Sequence, residues 1–211
     1  MVAGSSILGA VFANVVHYCV VSVMSKRREI TFSKKTRIFY HVFTFTAIIP
    51  LGYLYIPKGV TVEILLQYIL LCAMSVFALA DAEHHFISNQ LLLVLLMIWA
   101  GIMGIMIILQ TQYGLVLLFG SLVGAIVGGL IFLLCYFLSR GQLGAGDVKL
   151  VFVMGLYLTG DRIMGAIFYG VLLCCAYSIV QLMRKKIGVK EGVPLAPFLY
   201  AGQLITYFIM A

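Results

Sequence analysis

Eight apolar runs, separated only by short polar connections, make up nearly the whole of this chain. They cover about Gly4 to Met24, Ile38 to Ile56, Val62 to Ala80, Leu91 to Leu109, Gly114 to Leu138, Val148 to Leu158, Ile163 to Met183 and Leu195 to Met210. A helix that crosses a bilayer needs about 20 such residues. The pattern predicts an all-α, polytopic transmembrane bundle of about eight spans, one domain over residues 1–211. Hydrophobic residues make up 64 % of the chain and charged residues 10 %. That is too few charges to cover a soluble surface, and the connections are too short for an extramembrane domain.

The basic residues set the orientation. Lys26, Arg27, Arg28, Lys34, Lys35 and Arg37 crowd the first connection, and Arg140, Lys149, Arg184, Lys185, Lys186 and Lys190 fall on the same side if the runs alternate. Only Lys58 and Arg162 fall opposite. Positive loops stay cytoplasmic, so both termini are expected outside. The net charge of +7 then reports topology rather than a nucleic-acid partner. Cys19, Cys72, Cys135, Cys174 and Cys175 lie in apolar runs with no CxxC pair, so they read as small buried hydrophobes. Asn14 and His17 share a helical face suited to interhelical hydrogen bonds. Pro50 is expected to kink its run. Gly120, Gly124 and Gly128 recur every four residues and give a flat face for close helix packing. The run Val148 to Leu158 is only about 16 Å long at 1.5 Å per residue. It either dips into the membrane or is lengthened by Thr159 to Arg162, which would turn outside.

Two acids stand at the edges of apolar runs on the cytoplasmic side. Asp81 closes Val62 to Ala80, and Asp147 follows Gly144-Ala145-Gly146 and precedes Val148. Acids at such positions are costly and are usually functional. Two carboxylates about 3 Å apart share one proton: the ionised one activates water and the protonated one polarises an amide carbonyl. This chemistry uses no metal and no cofactor. Asp147 opens a helix whose dipole favours its charge, which makes it the expected ionised partner. Other uses of these residues are an N-cap at Asp147, a metal site from Asp81, Glu83, His84 and His85, and proton-coupled transport.

At this point the sequence resembles the type IV prepilin peptidases, membrane aspartic peptidases of the GxGD type. Gly144-Ala145-Gly146-Asp147-Val148-Lys149-Leu150 matches GxGDxKL in full. Asp81 is followed at the family spacing by Ile87-Ser88-Asn89, with Ser88 in place of a proline. Pro194-Leu195-Ala196-Pro197-Phe198 looks like the family's C-terminal proline stretch, and Phe12, Asn14, Val15 and Val16 match its N-terminal one. The resemblance implies Asp81 and Asp147 as the catalytic pair, and Gly144, Ala145, Gly146, Lys149, Asn89, Pro194 and Pro197 as substrate-binding residues. It implies prepilin or pseudopilin precursors as substrates, with a basic leader cut at the cytoplasmic face of a prokaryotic plasma membrane. Membrane lipid would be the other partner. Bifunctional members carry a cysteine-bearing insert after the first span and also N-methylate the product. Ser25 to Arg37 has no cysteine, so methyl transfer is not expected.

Overall fold

The computed structural model describes residues 61–139, 143–184 and 193–210, together with Lys34, Lys35 and Ile38. Apart from Ile38, the first two apolar runs, with Asn14, His17 and Pro50, lie outside the described residues. Helices α1 (Val62–His84), α2 (Asn89–Leu109), α3 (Thr111–Leu138), α4 (Ala145–Met183) and α5 (Ala196–Ile209) follow in order. There is no strand among the described residues. Val62–His84, Asn89–Leu109, Thr111–Leu138 and Arg162–Met183 are each long and apolar enough to cross a membrane. Residues 145–158 and α5 are shorter.

Local chemistry sets the boundaries. Thr61 caps α1, its hydroxyl accepting from the Ile64 N–H at 3.4 Å. The helix stops at His85, which turns left-handed (φ 47°, ψ 45°) and returns its N–H to the Asp81 carbonyl. Ser88 then caps α2 by accepting from the Leu91 N–H. The polar connection expected over Asp81 to Gln90 thus shrinks to residues 85–88, with helix on both sides. Gln110 alone joins α2 to α3 at φ −141°, ψ 73°, and Gly114 lets α3 pass close to the Met106–Ile107 backbone.

α4 doubles back on itself. Thr159 has φ 62°, ψ 179°, a conformation that costs a β-branched residue about 1–3 kcal/mol. The neighbours of Gly128 show the reversal: a Cβ built there would stand 3.2 Å from a Val151 methyl and 3.1 Å from Ile163. In a straight helix those two residues would be about 18 Å apart. The expected turn over Thr159 to Arg162 therefore exists, centred on Thr159.

The glycine face of α3 is what the reversed pair packs against. A Cβ at Gly124 would fall 2.7 Å from the Gly155 carbonyl oxygen and 2.8 Å from the Thr159 carbonyl carbon. Gly155 in turn has no room for a Cβ beside Gly124. Gly202 of α5 seats in the same way on Ala166 and Gly170. Small residues thus bring backbones together where hydrophobicity alone gives no drive between helices in lipid.

α1 is the most enclosed of the four long helices. Leu66, Leu70, Met74 and Phe77 are fully enclosed with Leu150, Met154, Leu199 and Tyr200. The Tyr157 hydroxyl donates to the Leu95 carbonyl at 2.6 Å and fixes α4 to α2. Leu93 and Met97 of α2, with Val116 and Phe119 of α3, face outward as a lipid-facing surface would.

Candidate active site

Asp81 lies in the last turn of α1 and is 5 % exposed. Its carboxylate Oδ2 accepts from the Ala196 N–H at 2.9 Å, across 115 residues of sequence. The first turn of α5 therefore reaches into the end of α1. His85 also lies within electrostatic reach of this carboxylate.

Asp147 lies in the first turn of α4. The helix begins at Ala145 with Gly144 as N-cap, so Asp147 is the third helical residue and not the cap. The reason is geometric. A glycine cap has no side chain to accept a hydrogen bond, and an acid three residues on can reach back to it, as in one half of a capping box. Asp147 Oδ2 lies 3.0 Å from where a Gly144 Cβ would be, and the Gly144 backbone hydrogen-bonds the carboxylate. Both acids thus sit inside helix ends, not in loops.

The two helix ends are held together at Gly146, where a Cβ would be 3.2 Å from the Ile87 Cβ. Lys149 Nζ donates to Asn89 Oδ1 at 3.3 Å and links the first turns of α4 and α2. Burial, then the nearby Asp81 carboxylate, push the Asp147 carboxyl up from 3.8 to about 6, against the Gly144 hydrogen bond. The shift runs against the expectation of a readily ionised Asp147: the helix dipole favours its charge, but desolvation and a like charge outweigh it.

Of the residues expected to bind substrate, Asn89 and Lys149 pair with each other and line the head of an apolar groove of about 540 Å³. Leu93, Gly129, Leu130 and Phe152 form its walls. Gly144 and Ala145 are exposed beside Asp147. Pro194 and Pro197 flank Ala196, whose role the sequence analysis missed. The available signal was a proline-bracketed helix start, where N–H groups lack partners. Cys174 of α4, expected as a buried hydrophobe, is only partly buried and lies within electrostatic reach of both acids. Ser88, which stands where the resemblance expects a proline, caps α2. Glu83 and His84 pair at 3.9 Å. Among the described residues no three His, Cys, Asp or Glu side chains converge as a metal site would require.

The fold and this site define a helical membrane protein with two interacting acids at one end of its bundle. Residues 68–179, just over half of the chain, match the type IV leader peptidase family, and the chain belongs to that family. It is similar to the prepilin leader peptidase/N-methyltransferase of Bacillus subtilis (strain 168), 24 % identical over 149 residues, which is 71 % of this chain and 57 % of that protein. Proteins of the same name from Burkholderia pseudomallei strains 1026b and K96243 are 29 % identical over 148 residues, 66 % of this chain and 44 % of theirs. The chain thus spans about half the length of these relatives. No solved structure matches it.

Proposed function

We propose that this chain is a membrane aspartic endopeptidase that removes the basic leader from type IV prepilin-like precursors. The observation that carries the reading is the meeting of Asp81 and Asp147 on two helix ends, close enough for one charge to raise the other's pKa. Asp81 is the ionised partner, its charge supported by the Ala196 N–H, and takes a proton from water. Asp147 holds the shared proton and polarises the scissile carbonyl. The attacking water adds to the carbonyl carbon, and the amine leaves once protonated. Family membership and the relatives' printed names support a prepilin substrate. Asn89, Lys149, Pro194 and Pro197 would bind the substrate near the acids, and Gly144, Ala145 and Gly146 would pair with it as an extended strand.

The test is incubation with a prepilin in liposomes, scored by mass. Leader loss should persist in EDTA. With S-adenosylmethionine present, the mature product should keep a free amino terminus, because Ser25 to Arg37 lacks cysteine. No cleavage, or cleavage restored only by zinc, would overturn the dicarboxylate reading. The pH profile follows from Asp147. Its active form is protonated, so kcat/KM should fall as pH rises through about 6. Bound substrate excludes water and should move that limb upward in kcat. The stability sign is the same: the raised pKa contributes most below the unfolded value and is lost as pH rises through about 6.

The proposed topology is eight crossings, with both acids at the cytoplasmic face of a prokaryotic plasma membrane. The charge distribution supports it. In a cysteine-free background, Ser33→Cys and Gly188→Cys should react with an impermeant thiol reagent only after the membrane is opened. Labelling from outside intact cells would reverse the orientation.

A further inference from the structure

The Asp81 carboxylate is badly placed by its own helix. It lies in the last turn of α1, where the carbonyl ends of the peptide units gather and the dipole opposes negative charge. Only 5 % of its surface is exposed, so little solvent is at hand to stabilise the charge. Something else must make an anion tolerable there: His85 lies within electrostatic reach, and the backbone N–H groups of Leu195 and Ala196 both hydrogen-bond the carboxylate. α5 points its amino end at Asp81, and its first turn has few donors to offer. Pro197, the second helical residue, has no N–H. The N–H groups of Phe198 and Leu199 both turn back to the Leu195 carbonyl, at 3.0 and 3.1 Å. Leu195, at the N-cap position, has no side-chain oxygen and makes no side-chain cap. Within the helix that leaves the Ala196 N–H, fully enclosed and 2.9 Å from Oδ2, the stronger of the two backbone donors, with the Leu195 N–H just before it.

We propose that Ala196 is a positioning residue for the reaction: its backbone N–H, set by the Pro194–Pro197 bracket, holds Oδ2 of Asp81 in the charged form and leaves Oδ1 to activate water. The inference rests on the peptidase reading above. It gives Pro194 and Pro197 a second task beyond substrate binding, that of building a helix start whose free N–H groups face Asp81. Asp81 in turn serves as the N-cap acceptor of α5, a cap supplied from a distant part of the chain.

The test removes one N–H and nothing else. Ala196 is replaced by its α-hydroxy acid, which changes the amide to an ester, and the same change at Ala201 within α5 is the control. Both chains are assayed on prepilin in liposomes across pH. We expect the Ala196 ester to lose at least about 10-fold in kcat, with KM nearly unchanged. The acid limb of its profile should move up by about one pH unit, because a donor to the charged form is gone. The Ala201 ester should keep the wild-type profile. An Ala196 ester with wild-type rate and profile overturns the proposal. So does a rate loss with an unmoved limb that the Ala201 ester shares, since the N–H would then only build helix.

Failure of the wild-type chain to cleave would instead overturn the peptidase reading. If the Ala196 ester does not fold, ¹⁵N-alanine spectra of the unaltered chain decide. The Ala196 amide resonance should titrate with the acid limb in wild type and lose that titration in Asp81→Asn. A resonance that does not titrate overturns the proposal.

Discussion

Asp81→Asn and Asp147→Asn should each lower prepilin cleavage by about 10³-fold or more while leaving the fold nearly intact. The loss is large because the two acids have complementary tasks and neither has a substitute among its neighbours. The fold survives because an amide oxygen can still accept what each carboxylate accepts: the Ala196 N–H at position 81 and the Gly144 backbone at position 147. Asp81→Ala is the informative contrast. It strands the Ala196 N–H in a closed site, which should cost about 1–3 kcal/mol of stability, whereas Asp81→Asn should not. Glu83→Gln should keep substantial activity. The measurements are the prepilin mass shift and thermal unfolding in detergent. Near-wild-type processing by Asp147→Asn would mean that this acid only finishes a helix.

Gly155→Val should be the most damaging single change away from the acids. The position faces the Gly124 backbone, and a Cβ there has no flexible side chain to displace. One of two backbones must move, and α4 carries Asp147 on the same short helical arm. Overpacking costs about 1–3 kcal/mol where side chains can adjust, so the penalty here should be about 3 kcal/mol or more. Gly101→Ala and Gly104→Ala are the controls: a Cβ at either meets nothing within 4 Å. Yield of monodisperse protein and the unfolding midpoint separate the two classes. If Gly155→Val behaves like Gly101→Ala, α3 and α4 are not in backbone contact.

Much of this arrangement was legible before any coordinates. The repeat Gly120, Gly124, Gly128 marked a packing face because small residues every four positions line one side of a helix, and that face does meet α4. GxGDxKL marked Asp147, and the spacing to Ile87-Ser88-Asn89 marked Asp81. Other features depend on partners distant in sequence and left no local trace. The burial of α1 is one: its sequence is less apolar than that of α2, yet it is the more enclosed helix, because apolarity does not distinguish a lipid-facing surface from a protein interior. The Ala196 hydrogen bond is another, since it joins residues 115 apart. The upward push on the Asp147 carboxyl was not legible because the helix dipole is a local effect, while burial and the Asp81 charge come from tertiary structure. The turn near Thr159 was placed within a few residues, although its left-handed φ falls on a threonine with a glycine next to it.

That turn has a consequence for the bilayer itself. Residues 145–158 make an arm about 21 Å long at about 1.5 Å per residue, against a hydrocarbon thickness of about 30 Å. α3 gives an internal ruler: Gly120 faces Thr159, yet α3 extends nine residues further, about 13 Å, to Thr111. The hairpin tip therefore hangs well short of the far end of its neighbour. Arg162, only partly buried, is carried at that depth. The far leaflet beneath the tip must thin, or water must rise to meet it, at a cost of a fraction of a kcal/mol per Å of mismatch. A local thinning of the bilayer around the tip is the expected result, and lipids with shorter acyl chains should fit it with less strain than long ones.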